Sequence, residues 1–277
     1  MHRKIFALSL LASSAFAAPA LAQDRDTHFD GVYLSGTVGM AIQGNEKDIT
    51  PVEFDTNRDG TFGDTVNTTT PVNAFSPGFC PGITSGATPD RCAGDKDSLE
   101  YSVRLGYDQR MGNVVLGGLI EGSKSNSVDG ASAYSITPAG YHFTRKVDYA
   151  ISARARLGLT PGGGALFYGT GGGSYAKINH GFTTTNTVNS FTANNDGEMV
   201  WGWQYGGGAE IMLSNNLSIG MEYLYNRYDD DKYFVAVGPG TAPATNPFLL
   251  NGGGTNMRPG DTTYGFHSLR ATVSLQF

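Results

Sequence analysis

The C-terminal stretch Gly265 to Phe277 reads GFHSLRATVSLQF, and its alternation decides the fold class. Leu269, Ala271, Val273, Leu275 and Phe277 fall on one face of an extended chain. Ser268, Arg270, Thr272, Ser274 and Gln276 fall on the other. A period of two is the signature of a strand. Here one face suits hydrocarbon, and the other suits water or polar partners.

The same pattern recurs upstream. It predicts strands over 31–42, 99–110, 114–124, 146–159, 165–178, 198–213 and 217–228. In 99–110, Leu99, Tyr101, Val103, Leu105 and Tyr107 oppose Glu100, Arg104 and Asp108. In 146–159, Val147, Tyr149, Ile151, Ala153, Ala155, Leu157 and Leu159 oppose Asp148, Arg154 and Arg156. The stretch 165–178 is rich in glycine, and its facing is ambiguous. Short Gly- and Asn-rich connections near 111–113, 161–164 and 214–216 read as hairpin turns. They alternate with long polar stretches at about 43–97, 125–145, 179–197 and 229–262.

Short turns on one rim and long loops on the other is the layout of an eight-stranded antiparallel transmembrane β-barrel. It implies three periplasmic turns and four extracellular loops. Each strand is long enough to cross a bilayer when tilted, and in lipid only a closed sheet pairs every backbone group. A soluble sandwich would alternate as well. Two features favour the membrane. Charges recur in mid-strand on the polar face, as Arg104, Glu121, Arg154, Arg156, Glu210, Glu222 and Arg270. Aromatics gather toward strand ends, as Trp201, Trp203, Tyr223, Tyr225 and Phe277, where interfacial girdles form.

Export is legible at the other end. Arg3 and Lys4 precede an apolar run from Ile5 to Ala17, and Ala20-Leu21-Ala22 is an A-x-A cleavage site. Residues 1–22 therefore read as a signal peptide and 23–277 as the barrel domain. No later run is long and apolar enough for a transmembrane helix. The net charge of −6 gives no footprint for nucleic acid. Gly at 39 residues and charged residues at 16% suit strands and tight turns rather than a helical enzyme.

Cys80 and Cys92 are the only cysteines. In an oxidising compartment one disulfide within the 43–97 loop is the natural reading, with two free thiols as the alternative. The same loop carries Asp55-Thr-Asn57-Arg-Asp59-Gly60-Thr61, which matches the start of a calcium loop. Position 12 holds Val66 rather than a bidentate Glu, so Asp64 is the candidate replacement ligand, with the Thr61 carbonyl beside it. The alternative is a solvated acidic loop with no cofactor.

The lumen of so small a barrel is filled by its own side chains. The interior arginines and glutamates either pair as a static plug or exchange partners in a gated narrow pore. His142, His180 and His267 lie near strand rims in no catalytic motif. The glycine clusters 169–173 and 206–208 precede no helix, so they are not phosphate loops.

Gly31-Val-Tyr-Leu-Ser-Gly36, Ser102-Val-Arg-Leu-Gly-Tyr107, Leu116-Gly-Gly-Leu-Ile-Glu121 and Ala153-Arg-Ala-Arg-Leu-Gly158 resemble the OmpA-like, opacity-type outer-membrane β-barrels. So do 206–210, 217–225 and the ending 269–277. The resemblance implies an outer-membrane location and an eight-stranded barrel. It also implies roles in envelope integrity, adhesion or small-solute passage. It implies that Phe277 serves as the assembly signal read by the outer-membrane barrel machinery. Outer-membrane lipids and extracellular or host surface ligands are the other expected partners. No peptidoglycan-binding domain follows the barrel, so wall anchoring through one is not expected. The first loop is long for the family. The expectation is a non-enzymatic structural and surface-interaction protein. A narrow porin-like channel is the alternative, and a rim lipid-A hydrolase comes third.

Overall fold

A computed structural model describes residues 28–44, 51–89 and 92–277; the expected signal peptide lies outside them. Eight long strands form the barrel: β1 (Gly31–Gln43), β4 (Ser98–Met111), β5 (Val114–Ser125), β7 (Ala139–Leu159), β8 (Ala165–Thr184), β10 (Met199–Met212), β11 (Leu217–Asp229) and β14 (Thr263–Gln276). Each pairs antiparallel with its neighbours, and β1 pairs with β14 to close the sheet. The alternation holds around the wall. Leu34, Val103, Ile120, Leu157, Trp201, Met221 and Val273 all point out and are exposed. Ser35, Arg104, Glu121, Arg156, Gln204, Glu222 and Thr272 all point in and are buried. The facing of β8 is now resolved: Phe167 and Tyr175 point outward, while Leu166, Ser174 and Ile178 point inward.

One rim is made of tight turns, including Gly112, whose φ of +62° is accessible to glycine without strain. At this rim the N-terminal segment tucks under the lumen. Phe29 is fully buried against Val115, Leu166 and Tyr168, and its N–H donates to Gln276 Oε1 at 3.1 Å.

The long stretches at the other rim are not the plain polar loops the sequence suggests. Their described residues contain six further strands: β2 (Val52–Asp55), β3 (Gly78–Pro81), β6 (Asp129–Ser135), β9 (Ser190–Asn194), β12 (Phe234–Gly238) and β13 (Thr255–Pro259). Strands β2, β13, β12 and β9 make a separate sheet drawn from the first, third and fourth loops. Strands β7 and β8 run past their expected ends at 146 and 178, and β6 and β3 add to β7 there. The whole forms a cap with its own core, centred on Phe54, Phe75, Tyr141, Phe143, Val235 and Met257. These strands are four to seven residues long, too short for alternation to stand out.

One facing needs correction. Val147, expected on the lipid face with Tyr149, is buried inside. A bulge between Val147 and Tyr149 shifts the register of β7 against β8 by one residue. One extra residue reverses the facing of everything beyond it. Phe143, Arg145 and Val147 therefore turn inward above the bulge, whereas Ala150, Ser152 and Arg154 do so below it.

Candidate functional site

The mid-lumen charges form one ring. Arg104 and Glu121 face each other directly across β4 and β5, with Nε to Oε2 at 2.8 Å. Arg270 and Glu222 face each other across β14 and β11, at 2.7 Å. Arg104 also spans the lumen to Glu222 at 2.7 Å, and Arg270 spans it to Glu121 at 3.0 Å. Arg154 from β7 reaches both, at 2.9 Å from Glu121 and 3.3 Å from Glu222. The Tyr168 hydroxyl donates to Glu222 at 3.0 Å. The arginine and glutamate side chains of this ring are at most 1% exposed.

Nearer the short-turn rim, Arg156 pairs with Glu210 at 2.8 Å and Asp108 at 3.0 Å. Its guanidinium lies over the Tyr168 ring at 4.2 Å. Beside two of the ring arginines the facing strand approaches too closely for any side chain but glycine's. Gly39 opposes Arg270 and Gly172 opposes Arg154, and a Cβ at either position would strike the facing backbone.

All seven charges singled out from the sequence therefore converge inside the barrel. Two more belong with them: Glu100, 3.3 Å from Arg270, and Asp108. Both share the inward face of β4 with Arg104, so the alternation already marked them. Tyr168 had no such signal, because the facing of β8 was unresolved.

Above the ring, Gln204 and Ser268 bond to Asn226 at 2.8 and 2.9 Å. An apolar layer of Ala41, Val147, Ala176, Ile178, Tyr228 and Phe266 follows. Above that sits a second ionic node. Arg145 pairs with Asp129 at 2.5 Å, Asp261 at 3.1 Å and Asp230 at 3.4 Å. His180 joins it through Asp230 at 3.0 Å, and its ring stacks on Tyr233 at 3.9 Å. Burial works against ionised Asp230, but His180 and Arg145 outweigh it and hold its carboxyl below the ordinary range.

The remaining candidates fall in the cap and at its edges. Cys80 and Cys92 form a disulfide with Cα atoms 5.7 Å apart. In the acidic loop, the N–H groups of Asp59 and Gly60 donate to the buried Asp55 carboxylate at 3.1 Å each. Asn57 and Thr61 bond to Asp59. The Thr61 N–H and the Asn57 amide keep the Asp59 carboxyl below its usual range. Asp64 is turned away to Thr56, accepting from its N–H and hydroxyl at 2.9 and 2.8 Å. Val66 is buried in the cap core. Among the described residues, no three His, Cys, Asp or Glu side chains gather as a metal set.

His142 bonds to Ser132 Oγ and to the Gly86 carbonyl, both at 3.0 Å, inside the cap. Burial pushes it below the ordinary histidine range, against the pull of that carbonyl. His267 lies on the outer wall, bonded to Tyr223 at 2.7 Å. Phe277 is outward and exposed, with its N–H on the Val32 carbonyl at 2.9 Å.

Comparison with known proteins agrees with this architecture. A family model described as outer membrane protein beta-barrel domain matches residues 8–277. The 31 kDa outer-membrane immunogenic proteins of Brucella melitensis and Brucella suis are each 31% identical over 139 residues. The match covers 48% of this chain and 58% of each relative, so the chain spans little more than half the length of the curated relatives it matches. The crystal structure of OprG from Pseudomonas aeruginosa is similar in fold, with a TM-score of 0.50 at 12% identity, over 92% of this chain and 99% of that one. The closed eight-stranded wall, the lipid-facing belt and the family match lead to one conclusion: the chain belongs to the outer membrane protein beta-barrel domain family and resides in the outer membrane.

Proposed function

We propose that this protein is a closed barrel whose work is structural and surface-directed: it anchors a folded cap on the outer face of the membrane. The ring in which Arg104, Arg154 and Arg270 all pair with Glu121 and Glu222 carries this reading. A conducting path would have to open that ring. Breaking buried pairs of this kind costs about 3–5 kcal/mol each. Apolar layers lie at both ends of the lumen, around Phe29 below and Phe266 above. Together they leave the cap as the surface that meets the environment, in keeping with adhesion or envelope integrity.

The channel is the second reading, favoured by the polar side chains that line the lumen through most of its height. A rim hydrolase has little support. Ser132 and His142 form a buried pair, but the second imidazole nitrogen is engaged by a backbone carbonyl. The Brucella relatives carry no enzymatic name.

Single-channel recording in planar bilayers tests the proposal. Silent bilayers holding folded, inserted protein are expected. Reproducible current steps that shift in Glu222→Ala would overturn it in favour of the channel.

A further inference from the structure

Three lysines stand on one sector of the outer wall, at the cap-side edge of its apolar belt. Lys124 on β5 and Lys177 on β8 face outward in one row across the sheet, with Tyr149 of β7 between them. Lys146 lies above Tyr149 on β7 and is exposed. The next outward row toward the short-turn rim is Val103, Gly122, Ile151, Tyr175 and Trp201, a set open to hydrocarbon. Among the described residues, no other strand carries such a surplus of charge at this end. Met40 and Ile42 on β1 and Leu99 on β4 are apolar there, and Arg227 on β11 is offset by Asp229 on the same face.

We propose that this sector binds the phosphomonoester head group of a membrane lipid in the leaflet on the cap side. Charge sets the class. Three ammonium groups and the one carboxylate among them, Asp148, leave a local surplus of two positive charges. A phosphomonoester carries about −1.5 to −2 at neutral pH, with three acceptor oxygens. A phosphodiester head group would offset only half of that surplus. Position sets the source. A soluble phosphate gains nothing from the wall below the lysines. A lipid seated over Ile151 and Trp201 keeps its chains in hydrocarbon while its phosphate meets the ammonium groups, at the level where a lysine stem snorkels out of the apolar layer.

The lysines are available to such a group. Lys124 reaches Asp148 at 3.4 Å with both side chains partly open, at 44% and 32%, and an exposed pair of this kind is weak. It is the one ion pair that the three lysines make among the described residues. Lys177 Cε lies 3.6 Å from where a Cβ on Gly197 would stand, so its stem rises toward the cap, away from hydrocarbon. Two strand spacings, about 10 Å, separate the Lys124 and Lys177 backbones, a gap that two long side chains can close on one phosphate. The site lies outside the lumen, so it does not depend on whether the barrel conducts.

The test uses the full chain in dioleoylphosphatidylcholine vesicles and the quenching of its own tryptophans, Trp201 and Trp203, which lie beside the sector on β10. Phosphatidic acid brominated on its acyl chains is the probe. Equally brominated phosphatidylglycerol and phosphatidylcholine supply the anionic diester and the zwitterion. Phosphatidic acid is expected to associate at least about tenfold more strongly than phosphatidylcholine, and about fivefold more strongly than phosphatidylglycerol. Lys124→Gln combined with Lys177→Gln leaves Lys146 balanced by Asp148, so the preference should vanish, whereas the corresponding pair of Arg substitutions should retain it. Heat-modifiable mobility on gels checks that each variant is folded. The single Gln variants, each expected to lose about fivefold, serve if the double variant fails that check. Phosphatidic acid quenching no better than either other lipid, an unchanged preference in the Gln variants, an equal loss in Arg227→Gln, or displacement of the brominated lipid by soluble glycerol 3-phosphate would each overturn the proposal.

Discussion

Glu121 and Glu222 stand on opposite walls of the lumen, four strands apart around the barrel, and accept from the same three guanidinium groups. Neither glutamate is thus the private partner of any arginine. Removing one leaves three cations short of charge, but the other still contacts all three.

This sharing predicts strong coupling. Glu121→Gln and Glu222→Gln should each lower the unfolding free energy in lipid vesicles by about 3 kcal/mol. Their double variant should depart from the sum of the singles by about 1 kcal/mol or more. Urea unfolding of the four proteins measures it. Additivity within about 0.5 kcal/mol would mean that the two carboxylates act independently.

The bulge in β7 gives a second prediction. Val147 and Tyr149 pair with the consecutive residues Ile178 and Lys177, so deleting Asp148 removes the extra residue and leaves an unbroken ladder. Plain alternation then keeps Val147 inside and Tyr149 outside, and Arg145 keeps its three aspartates. A cysteine at position 147, in a background lacking Cys80 and Cys92, should resist a membrane-soluble thiol reagent in both the parent and the deletion, and the cap should keep its protease resistance. A cysteine that is protected in the parent and reacts in the deletion would mean that Asp148 is not the extra residue.

That same bulge marks where the sequence stops being readable. Below it, every inward charge of 146–159 was assigned to the correct face, because the lipid and lumen sides impose strict alternation. Above it, Val147 kept the old phase, since nothing local to Asp148 announces an extra residue. The cap was obscure for a related reason. Phe54, Phe75, Tyr141, Val235 and Phe248 form its core, yet they come from three separate loops, each with only a few apolar residues among many polar ones. A core assembled from isolated contributions leaves no periodic trace in any one segment. The ring, by contrast, was legible as a set of charges on one face, though not as pairs, because Arg104 to Glu222 is a contact across the lumen rather than along a hairpin.

Acid should loosen the cap through Asp230. Its folded carboxyl titrates below the ordinary value, so the unfolded chain takes up the proton first as pH falls. The stabilisation is complete above about pH 5 and is lost as pH drops below about 4, through the folded value. Protease protection of the cap between pH 3 and 7 should show this loss. Asp230→Asn should start less protected at neutral pH and show a shallower acid dependence. An identical acid profile in the two proteins would assign the effect to other carboxylates.

The last prediction concerns the acidic loop, where the residue types suggest calcium and the hydrogen bonds offer a structural role. Asp55 is fully buried. Its carboxylate accepts from the Asp59 and Gly60 N–H groups and from the Asn256 amide at 3.2 Å, tying the first loop to the fourth. Asp55→Ala would strand those donors, at a cost of about 1–3 kcal/mol for each one left without water. The cap of this variant should therefore melt lower, and by the same margin in calcium and in chelator. Asp59→Ala removes a solvent-exposed carboxylate and should have a much smaller effect in either medium. If calcium instead raises the melting temperature of the parent, and both substitutions abolish that rise, the loop is a cation site and its internal hydrogen bonds are the scaffold that shapes it.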